Sequence, residues 1–168
     1  MKDEVYFFHQ TPELLCKELI KQIPLEDNDN VFEPFKGEGS FYNNFPVNVS
    51  KDWTEIEEGR DYRDYDKPID WVISNPPFKL VRDKGRVNSF YYLLNYYASR
   101  VNKGIAFLGN DSCFSTLTPK RLKELNINHN LFIHDIVVCN VKKWRGRYFF
   151  IIFKKGSSPF YKYIEGNF

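Results

Sequence analysis

The residues best suited to chemistry are Asn75, Pro76, Pro77 and Phe78, which follow the apolar run 71–73. That run predicts a buried strand, and the two prolines end it because neither can donate to a sheet ladder. The side-chain carbonyl of Asn75 and the backbone carbonyl of Pro76 are two acceptors that can face one planar NH2 group, and Phe78 adds a ring for stacking. This Asn-Pro-Pro-Phe turn (residues 75–78) therefore suits an exocyclic amine on an aromatic ring. The alternative is a Pro-Pro turn that only closes a strand.

A second candidate site follows another short apolar run, Val31-Phe32, and we call residues 33–41 the glycine loop. Its sequence is Glu33, Pro34, Phe35, Lys36, Gly37, Glu38, Gly39, Ser40, Phe41. The two glycines allow a sharp bend and let a ligand approach where a side chain would block it. Position 42 is Tyr, so the third glycine of the dinucleotide fingerprint is missing, which argues against NAD or FAD.

Two further features can contribute to binding. Residues 51–56 predict a strand, and a carboxylate at the carboxyl end of such a strand commonly holds ribose hydroxyls; Glu55 is the first choice and Asp52 the second. Before the first strand, Thr11 can cap a helix that begins at Pro12, buries one face and ends at Pro24. A plain amphipathic helix is the equally acceptable interpretation of that segment.

Together, the glycine loop and the Asn-Pro-Pro-Phe turn resemble the motifs of S-adenosylmethionine-dependent amino-methyltransferases, above all the DNA adenine-N6 enzymes. The resemblance implies S-adenosyl-L-methionine as cofactor and methyl transfer to an exocyclic amino nitrogen, with adenine N6 in DNA as the preferred target. It assigns catalytic roles to Asn75, Pro76, Pro77 and Phe78. It assigns cofactor contacts to Thr11, Glu33, Pro34, Phe35, Gly37, Gly39, Glu55, Asp61, Tyr62 and Asn75.

Two departures from that family pattern concern acidic residues. Glu33 stands where Asp is usual. The pair Asp61-Tyr62 resembles an acid and a ring that hold adenine, but Asp64-Tyr65 repeats the pattern and leaves the register open.

The fold implied is an α/β, single-domain class I methyltransferase (Rossmann-like), with a mostly parallel seven-stranded sheet and an antiparallel C-terminal strand. Because only 35 positions separate Gly39 from Ser74, at least one intervening helix must be reduced to a turn. The segment 79–86 predicts a mobile loop. Beyond it, the patterns predict a helix from Phe90 through Val101 to 102–104, a strand at 105–108, a helix from Thr118-Pro119, and strands at 132–141 and 148–155.

Charge is unevenly distributed along the 168 residues. Residues 1–70 carry 17 acidic and 8 basic side chains (net −9), whereas residues 71–168 carry 5 acidic and 16 basic (net +11). The split suggests an acidic half that holds a cationic small molecule and a basic half that meets an anionic polymer. The predicted nucleic-acid-binding residues are Lys79, Arg82, Lys84, Arg86, Lys142, Lys143, Arg145 and Arg147.

Composition excludes several other classes. No apolar run approaches a membrane span and the N-terminus lacks a signal-peptide core, so a soluble, cytoplasmic protein is expected. Three scattered cysteines indicate buried thiols rather than a disulfide framework or metal site.

We expect one domain at 1–168 with no target-recognition domain, so a partner chain could supply recognition. RNA adenine or guanine methylation, glutamine-amide methylation of a protein and a non-catalytic nucleic-acid-binding module are the alternatives.

Overall fold

The computed structural model describes residues 10–82, 85–142, 144–162 and 164, which form an α/β fold. The helices are α1 Glu13–Ile20, α2 Ser89–Ala98, α3 Asp111–Phe114 and α4 Pro119–His129. The strands are β1 Asn30–Glu33, β2 Ser50–Trp53, β3 Ile69–Ser74, β4 Lys79–Arg82, β5 Gly85–Asn88, β6 Val101–Asn110, β7 Leu131–Cys139 and β8 Tyr148–Lys155. Three short 3-10 helices cover Tyr42–Asn44, Ile56–Glu58 and Tyr62–Asp64.

The main sheet has the strand order β2-β1-β3-β6-β8-β7. Strands β2, β1, β3 and β6 run parallel, and β8 is antiparallel to both of its neighbours, β6 and β7. This confirms the Rossmann-like fold with an antiparallel C-terminal strand. The sheet has six described strands, however, and not the expected seven. Residues 54–68 hold only two 3-10 helices, because so short a segment cannot supply a further helix and strand beyond β2.

The core lies on both faces of this sheet. One cluster packs α2 and α4 against the sheet, and the other packs α1 and the segment after the glycine loop against the opposite face. Strand β3 contributes to both faces in alternation, since Val72 belongs to the first cluster while Trp71 and Ile73 belong to the second. The three cysteines are free and buried, as expected.

Close packing fixes β3 against its neighbour β6. A Cβ atom at Gly104 would lie 2.4 Å from the Trp71 ring and 2.3 Å from the backbone oxygen of Phe153. Glycine at this position therefore leaves the space that the indole ring fills.

Two predicted helix boundaries were wrong. Helix α1 ends at Ile20 rather than at Pro24, and its N-cap is Pro12, with no side-chain cap hydrogen bond from Thr11. Helix α2 ends at Ala98, and Val101 begins β6 although it continues the helical spacing of buried residues. The helix at Thr118 is confirmed, since the Thr118 side chain accepts a hydrogen bond from the Arg121 backbone N–H.

The strands also differ in detail from expectation. Strand β2 ends at Trp53, because residues 56–58 turn into a 3-10 helix. The segment predicted as a mobile loop is an antiparallel hairpin of β4 and β5, which we call the basic hairpin (79–88); it pairs Lys79 with Asn88 at its base. Strand β7 ends at Cys139 rather than at 141, and β8 matches its predicted range.

Candidate active site

The candidate site lies where the parallel strands β1, β2 and β3 reach their carboxyl ends. The glycine loop starts on the last residue of β1, Glu55 follows β2, and the Asn-Pro-Pro-Phe turn follows β3. Parallel neighbours end on the same edge of a sheet, so three distant segments meet there, as expected for ligand sites in this type of sheet.

Asn75 is held at this edge by Thr11. Its side-chain Nδ2 donates to Thr11 Oγ1 at 3.1 Å, across 64 positions of sequence. Both side chains are buried, with 9% of Asn75 and 4% of Thr11 exposed. The amide nitrogen is thus directed at Thr11, and this bond joins the start of the Asn-Pro-Pro-Phe turn to the segment before α1.

The other end of the turn is fastened to the start of α2. Ser89 Oγ donates to the backbone oxygen of Pro77, and the Ser89 backbone N–H donates to the oxygen of Phe78 at 3.2 Å. The basic hairpin emerges between these fastened points. Contacts with Thr11, which precedes α1, and with Ser89 of α2 therefore hold both ends of the Asn-Pro-Pro-Phe turn. The Phe78 ring is half-buried against the core.

The glycine loop adopts the backbone that its two glycines allow. Gly37 and Gly39 have φ angles of 52° and 89°, in the left-handed region. The Gly37 backbone N–H donates to Glu55 Oε2 at 2.7 Å, and the Gly39 backbone N–H donates to the Lys36 oxygen at 2.8 Å. A Cβ at Gly39 would lie 2.8 Å from Asn43 Nδ2, so this glycine leaves space for a protein side chain rather than for a ligand alone.

Thr54 fastens the loop from the side of β2. Its Oγ1 donates to the Pro34 oxygen at 2.8 Å, and its backbone N–H donates to the Glu33 oxygen at 3.0 Å. In return, the Lys36 backbone N–H donates to the Thr54 oxygen at 3.1 Å. The loop is thus anchored to the end of β2 by backbone and hydroxyl groups that sequence inspection did not single out.

Glu33 is a buried carboxyl group, with 2% of the residue exposed. Burial raises the pKa of this carboxyl group well above the ordinary value, and the nearby Glu55 charge raises it further. Two interactions lower the pKa: the Tyr42 backbone N–H donates to Oε2 at 2.8 Å, and the Lys36 charge lies nearby. Glu33 therefore joins the start of the glycine loop to Tyr42, the residue after its end. Asp is usual at this position in the family that the loop resembles.

The structure separates the two candidates for binding ribose. Asp52 accepts from Arg60 at 3.0 Å and from Lys67 at 2.6 Å; these bonds hold its pKa below the ordinary value despite the burial that would raise it. Arg60 also lies over the Trp53 ring, which Lys36 covers at 3.7 Å. Asp52 therefore belongs to a charged cluster at the sheet edge, whereas the Glu55 carboxylate is hydrogen-bonded to the glycine loop at Gly37.

The two acid–aromatic pairs also lie in different places. Tyr62 packs on Phe35 of the glycine loop, with ring centroids 5.1 Å apart, while Tyr65 stacks on the buried Phe32 at 3.8 Å. Tyr62 is thus the ring beside the loop. Its neighbour Asp61 caps the following 3-10 turn and pairs with Arg63.

A cavity of about 440 Å³ opens beside Thr11. Its walls come from the start of α1, the glycine loop, the short helix after that loop, and the connection between β7 and β8. The lining residues are Gln10, Thr11, Pro12, Glu13, Glu38, Ser40, Asn43, Asn44 and Trp144. Its volume lies within the usual range for small-molecule sites.

The predicted basic residues occupy the basic hairpin and the β7–β8 connection. Lys79, Lys142, Arg145 and Arg147 are exposed, and Arg147 Nε lies 3.1 Å from Asp111 Oδ1. Arg82 and Arg86 belong to the paired strands of the hairpin. Lys84 and Lys143 lie outside the described residues. Because Trp144 lines the cavity, the β7–β8 connection borders the candidate site.

Sequence reasoning missed three contributors: Ser89, Thr54 and Trp144. Ser89 directly follows the helix cap Asn88, so the capping pattern could have placed a hydroxyl near the turn. No local pattern marks Thr54 or Trp144, whose roles arise from contacts between distant segments.

Within the described ranges, no group of three His, Cys, Asp or Glu side chains could hold a metal ion. Nor is any helix in this part of the chain long and apolar enough to cross a membrane.

Comparison with known proteins adds structural neighbours only. No protein-family profile matches the chain, and no curated protein sequence is similar to it. Among solved structures, a methyltransferase from Pyrococcus furiosus has a TM-score of 0.59 and 17% identity, covering 86% of this chain and 84% of that one.

Two further neighbours differ in what their names state. The methyltransferase subunit of the type I restriction-modification system from Streptococcus thermophilus has a TM-score of 0.55 and 14% identity over 91% of this chain. This chain covers only 46% of that subunit. The Mtq2-Trm112 complex from E. cuniculi, responsible for methylation of the translation termination factor eRF1, has a TM-score of 0.56, 14% identity, and coverage of 88% and 98%. At these identities the similarity shows only that the chain shares the Rossmann-like α/β fold of these proteins.

Proposed function

We propose that this protein transfers a methyl group from S-adenosyl-L-methionine to an exocyclic amino nitrogen, with adenine N6 in DNA as the preferred target. The observation that carries this proposal is the placement of Asn75. It lies at the carboxyl end of β3 with Pro76, Pro77 and Phe78, and its amide nitrogen donates to Thr11 beside the cavity. Neighbours of the same fold that are methyltransferases support it.

The residues of the site fit the cofactor. The cavity is lined by the carboxylates Glu13 and Glu38, and Glu55 lies behind the glycine loop; these negative groups suit a ligand with a sulfonium and an ammonium group. Thr11 and Ser40 would contact its amino-acid part, Glu55 its ribose, and Phe35 with Tyr62 its adenine ring. S-adenosyl-L-methionine would supply an electrophilic methyl group.

The chain's own contribution is binding and electrostatics. The oxygen of Asn75 and the backbone oxygen of Pro76 would accept the two N–H bonds of the amine, which raises the electron density on nitrogen and fixes its lone pair toward the methyl carbon. As the N–C bond forms and the S–C bond breaks, the nitrogen loses one proton to solvent. Phe78 would stack on the base, which must leave a duplex to reach this turn.

DNA is preferred to RNA because the two motifs most resemble those of DNA adenine-N6 methyltransferases, and a neighbour named as a restriction-modification subunit is consistent with that preference. The basic hairpin and the β7–β8 connection both carry basic side chains, which would bind the phosphates of a nucleic acid. We propose that a partner chain supplies target recognition, because one neighbour of this fold is a component of the Mtq2-Trm112 complex.

Methylation of a protein amide is the second candidate. The observation that favours it is the similarity to one chain of the eRF1-methylating complex, 98% of which this chain covers. An amide NH2 presents the same two N–H donors to Asn75 and Pro76 as an adenine does.

Methyl-transfer assays with a radiolabelled donor decide between these targets. The purified protein is incubated with DNA, RNA and protein pools, and the labelled products are hydrolysed to nucleosides and amino acids. We expect N6-methyladenine from DNA. The variant Asn75→Ala should bind the donor but turn over roughly 100-fold more slowly, while Asn128→Ala on the exposed face of α4 should match the wild type. Equal turnover in both variants would contradict the role of Asn75.

A further inference from the structure

An exposed apolar surface lies at the carboxyl end of β7. Val138 on this strand is 68% exposed, and its sheet partner on β8 is Phe149. The Phe149 ring contacts the ring of Phe114 in α3, with centroids 4.8 Å apart, and 37% of Phe114 is exposed. Helix α4 packs farther back, near Leu131 and Ile133 at the start of β7. We call Phe114, Val138 and Phe149 the apolar patch.

The apolar patch lies at the same edge of the sheet as the candidate site. Strand β7 is antiparallel to β8, and β8 is antiparallel to β6, so β7 and β6 end at the edge where β3 also ends. Phe149 pairs with Gly109 on β6, while Ser74, next to Asn75, pairs with Phe107. Two strand spacings and one residue therefore separate Asn75 from Phe149, which is about 10 Å between their Cα atoms.

Basic side chains border the apolar patch on the side of the β7–β8 connection. Lys142 and Arg145 in this connection are exposed. Its last residue is Arg147, whose Nε lies 3.1 Å from Oδ1 of Asp111, the first residue of α3. This ion pair joins the basic connection to the helix that carries Phe114.

The basic hairpin contacts the same helix from the other side. Asn88, the last residue of that hairpin, donates from Nδ2 to the Ser112 backbone oxygen at 3.4 Å. Helix α3 therefore contacts both basic elements. A polymer that binds both of them would pass along α3, where the Phe114 ring is exposed.

We propose that Phe114, packed on Phe149, is a stacking surface for an unpaired base of a single-stranded nucleic-acid substrate. At a stacked rise of 3.4 Å, this base lies within about three nucleotides of the base at Asn75. The inference rests on the proposed function, which places a base at that turn.

Charge favours a nucleic acid over a protein at this surface. The apolar patch, the basic hairpin and the β7–β8 connection all belong to residues 71–168, whose net charge is +11. An aromatic ring accepts any unpaired base because every base has a π-face, and neighbouring cations bind the phosphates. In a duplex the bases stack on one another, so an intact duplex gains little from the ring.

Binding to single-stranded and duplex oligonucleotides tests the proposal. Fluorescence anisotropy measures the affinity of the full chain for short labelled single strands and for the matching duplexes. Phe114→Ala and Phe114→Leu remove the ring, and Phe114→Trp keeps one. We expect the first two variants to lose about tenfold in single-strand affinity, the scale of one base stacked on an aromatic ring. Their duplex affinity and salt dependence should not change, and Phe114→Trp should bind like the wild type.

The control is Phe160→Ala, which removes a ring that is 61% exposed in the segment after β8 and should leave binding unchanged. Wild-type single-strand affinity in both Phe114→Ala and Phe114→Leu, or an equal loss on duplexes, would overturn the stacking role. A change of oligomeric state without loss of nucleic-acid affinity would also overturn it, and would identify the apolar patch as an interface between protein chains.

Methyl-transfer assays separate this inference from the proposed function. Methyl transfer to nucleic acid by a Phe114→Leu variant with wild-type single-strand affinity would overturn the inference alone. Binding that depends on the ring, without methyl transfer by the wild type to DNA, RNA or protein, would support the stacking surface and overturn the proposed function.

Discussion

The carboxylate of Glu55 accepts a hydrogen bond from the backbone N–H of Gly37, with 2.7 Å between Oε2 and nitrogen. This contact joins the end of β2 to the glycine loop across 18 positions of sequence. It places one carboxylate, and not its neighbour Asp52, beside the loop where a ligand would lie.

The first prediction follows from that contact. Glu55→Ala should weaken donor binding by about 10- to 100-fold, because a charged acceptor is lost and the Gly37 N–H is left without it. Glu55→Gln, which keeps an acceptor oxygen, should lose less. Isothermal titration calorimetry measures both. Asp52→Asn is the control and should bind normally; a larger loss there than in Glu55→Ala would reverse the assignment.

A second prediction concerns Gly39, where we expect substitution to affect both binding and stability. Gly39→Ala strains a residue at φ 89° and brings its Cβ against Asn43, whereas Gly59→Ala strains a residue at φ 74° with nothing within 4 Å. Each should lose about 1 kcal/mol of unfolding free energy from strain. Gly39→Ala should lose more, and Asn43→Ala in the same chain should restore the difference. Chemical denaturation measures the free energy of unfolding of each variant. Equal losses at both glycines would show that the Asn43 side chain moves away from the new Cβ at no cost.

The third prediction is a pH dependence caused by Glu33. Because burial raises its pKa in the folded state above the ordinary value of 4.5, the folded protein binds a proton that the unfolded chain releases. The stability contribution of this group is present at low pH and is lost as the pH rises from about 4.5 through the folded-state pKa.

Glu33→Gln removes that titration while keeping an acceptor for the Tyr42 N–H. We expect the variant to melt at least ~2 °C above the wild type at pH 8, with the advantage vanishing near pH 4. Thermal melts across this range give the answer. A variant less stable than the wild type at pH 8 would show that the ionised carboxylate stabilises the loop.

The fourth prediction concerns phosphate binding by the basic hairpin. Changing Lys79, Arg82, Lys84 and Arg86 together to Ala should weaken nucleic-acid binding and flatten its salt dependence. The logarithm of affinity should fall with that of salt by about 0.9 per phosphate on duplex DNA and about 0.7 on single strands. Donor affinity should not change. The control is the same loss of four charges at Lys17, Lys21, Lys120 and Lys123, and identical salt slopes in the two variants would exclude the hairpin as a phosphate-binding element.

Much of the fold could be predicted because it depends on local patterns. The apolar runs before Glu33 and Asn75 are the strands β1 and β3, and Thr118-Pro119 starts α4 as expected. Val101 could not be placed correctly, because its spacing from Tyr97 continues the helical pattern while pairing with Ile69 draws it into β6. The sheet partner outweighs the local preference there.

The site shows the same division between local and distant interactions. The end of β3 before the two prolines and the sharp bend at Gly37 and Gly39 could be predicted, because proline and glycine determine the local backbone. The partner of Thr11 could not, since Asn75 competes with the adjacent helix for its hydroxyl. The hairpin at 79–88 was missed for a different reason. Its charges and glycine suggest a loop, although the pairing between its two arms is local.

The two bonds from Ser89 to the Asn-Pro-Pro-Phe turn have an evolutionary consequence. They join the chain on either side of the basic hairpin, so the two ends of that segment are held close together. Lengthening a segment whose ends are fixed adds little entropy loss, about 0.6 kcal/mol for each doubling. Insertions, deletions or exchanges within the hairpin can therefore accumulate without moving Asn75. Under the proposed function, the hairpin is therefore a position at which target preference can change while Asn75 stays in place.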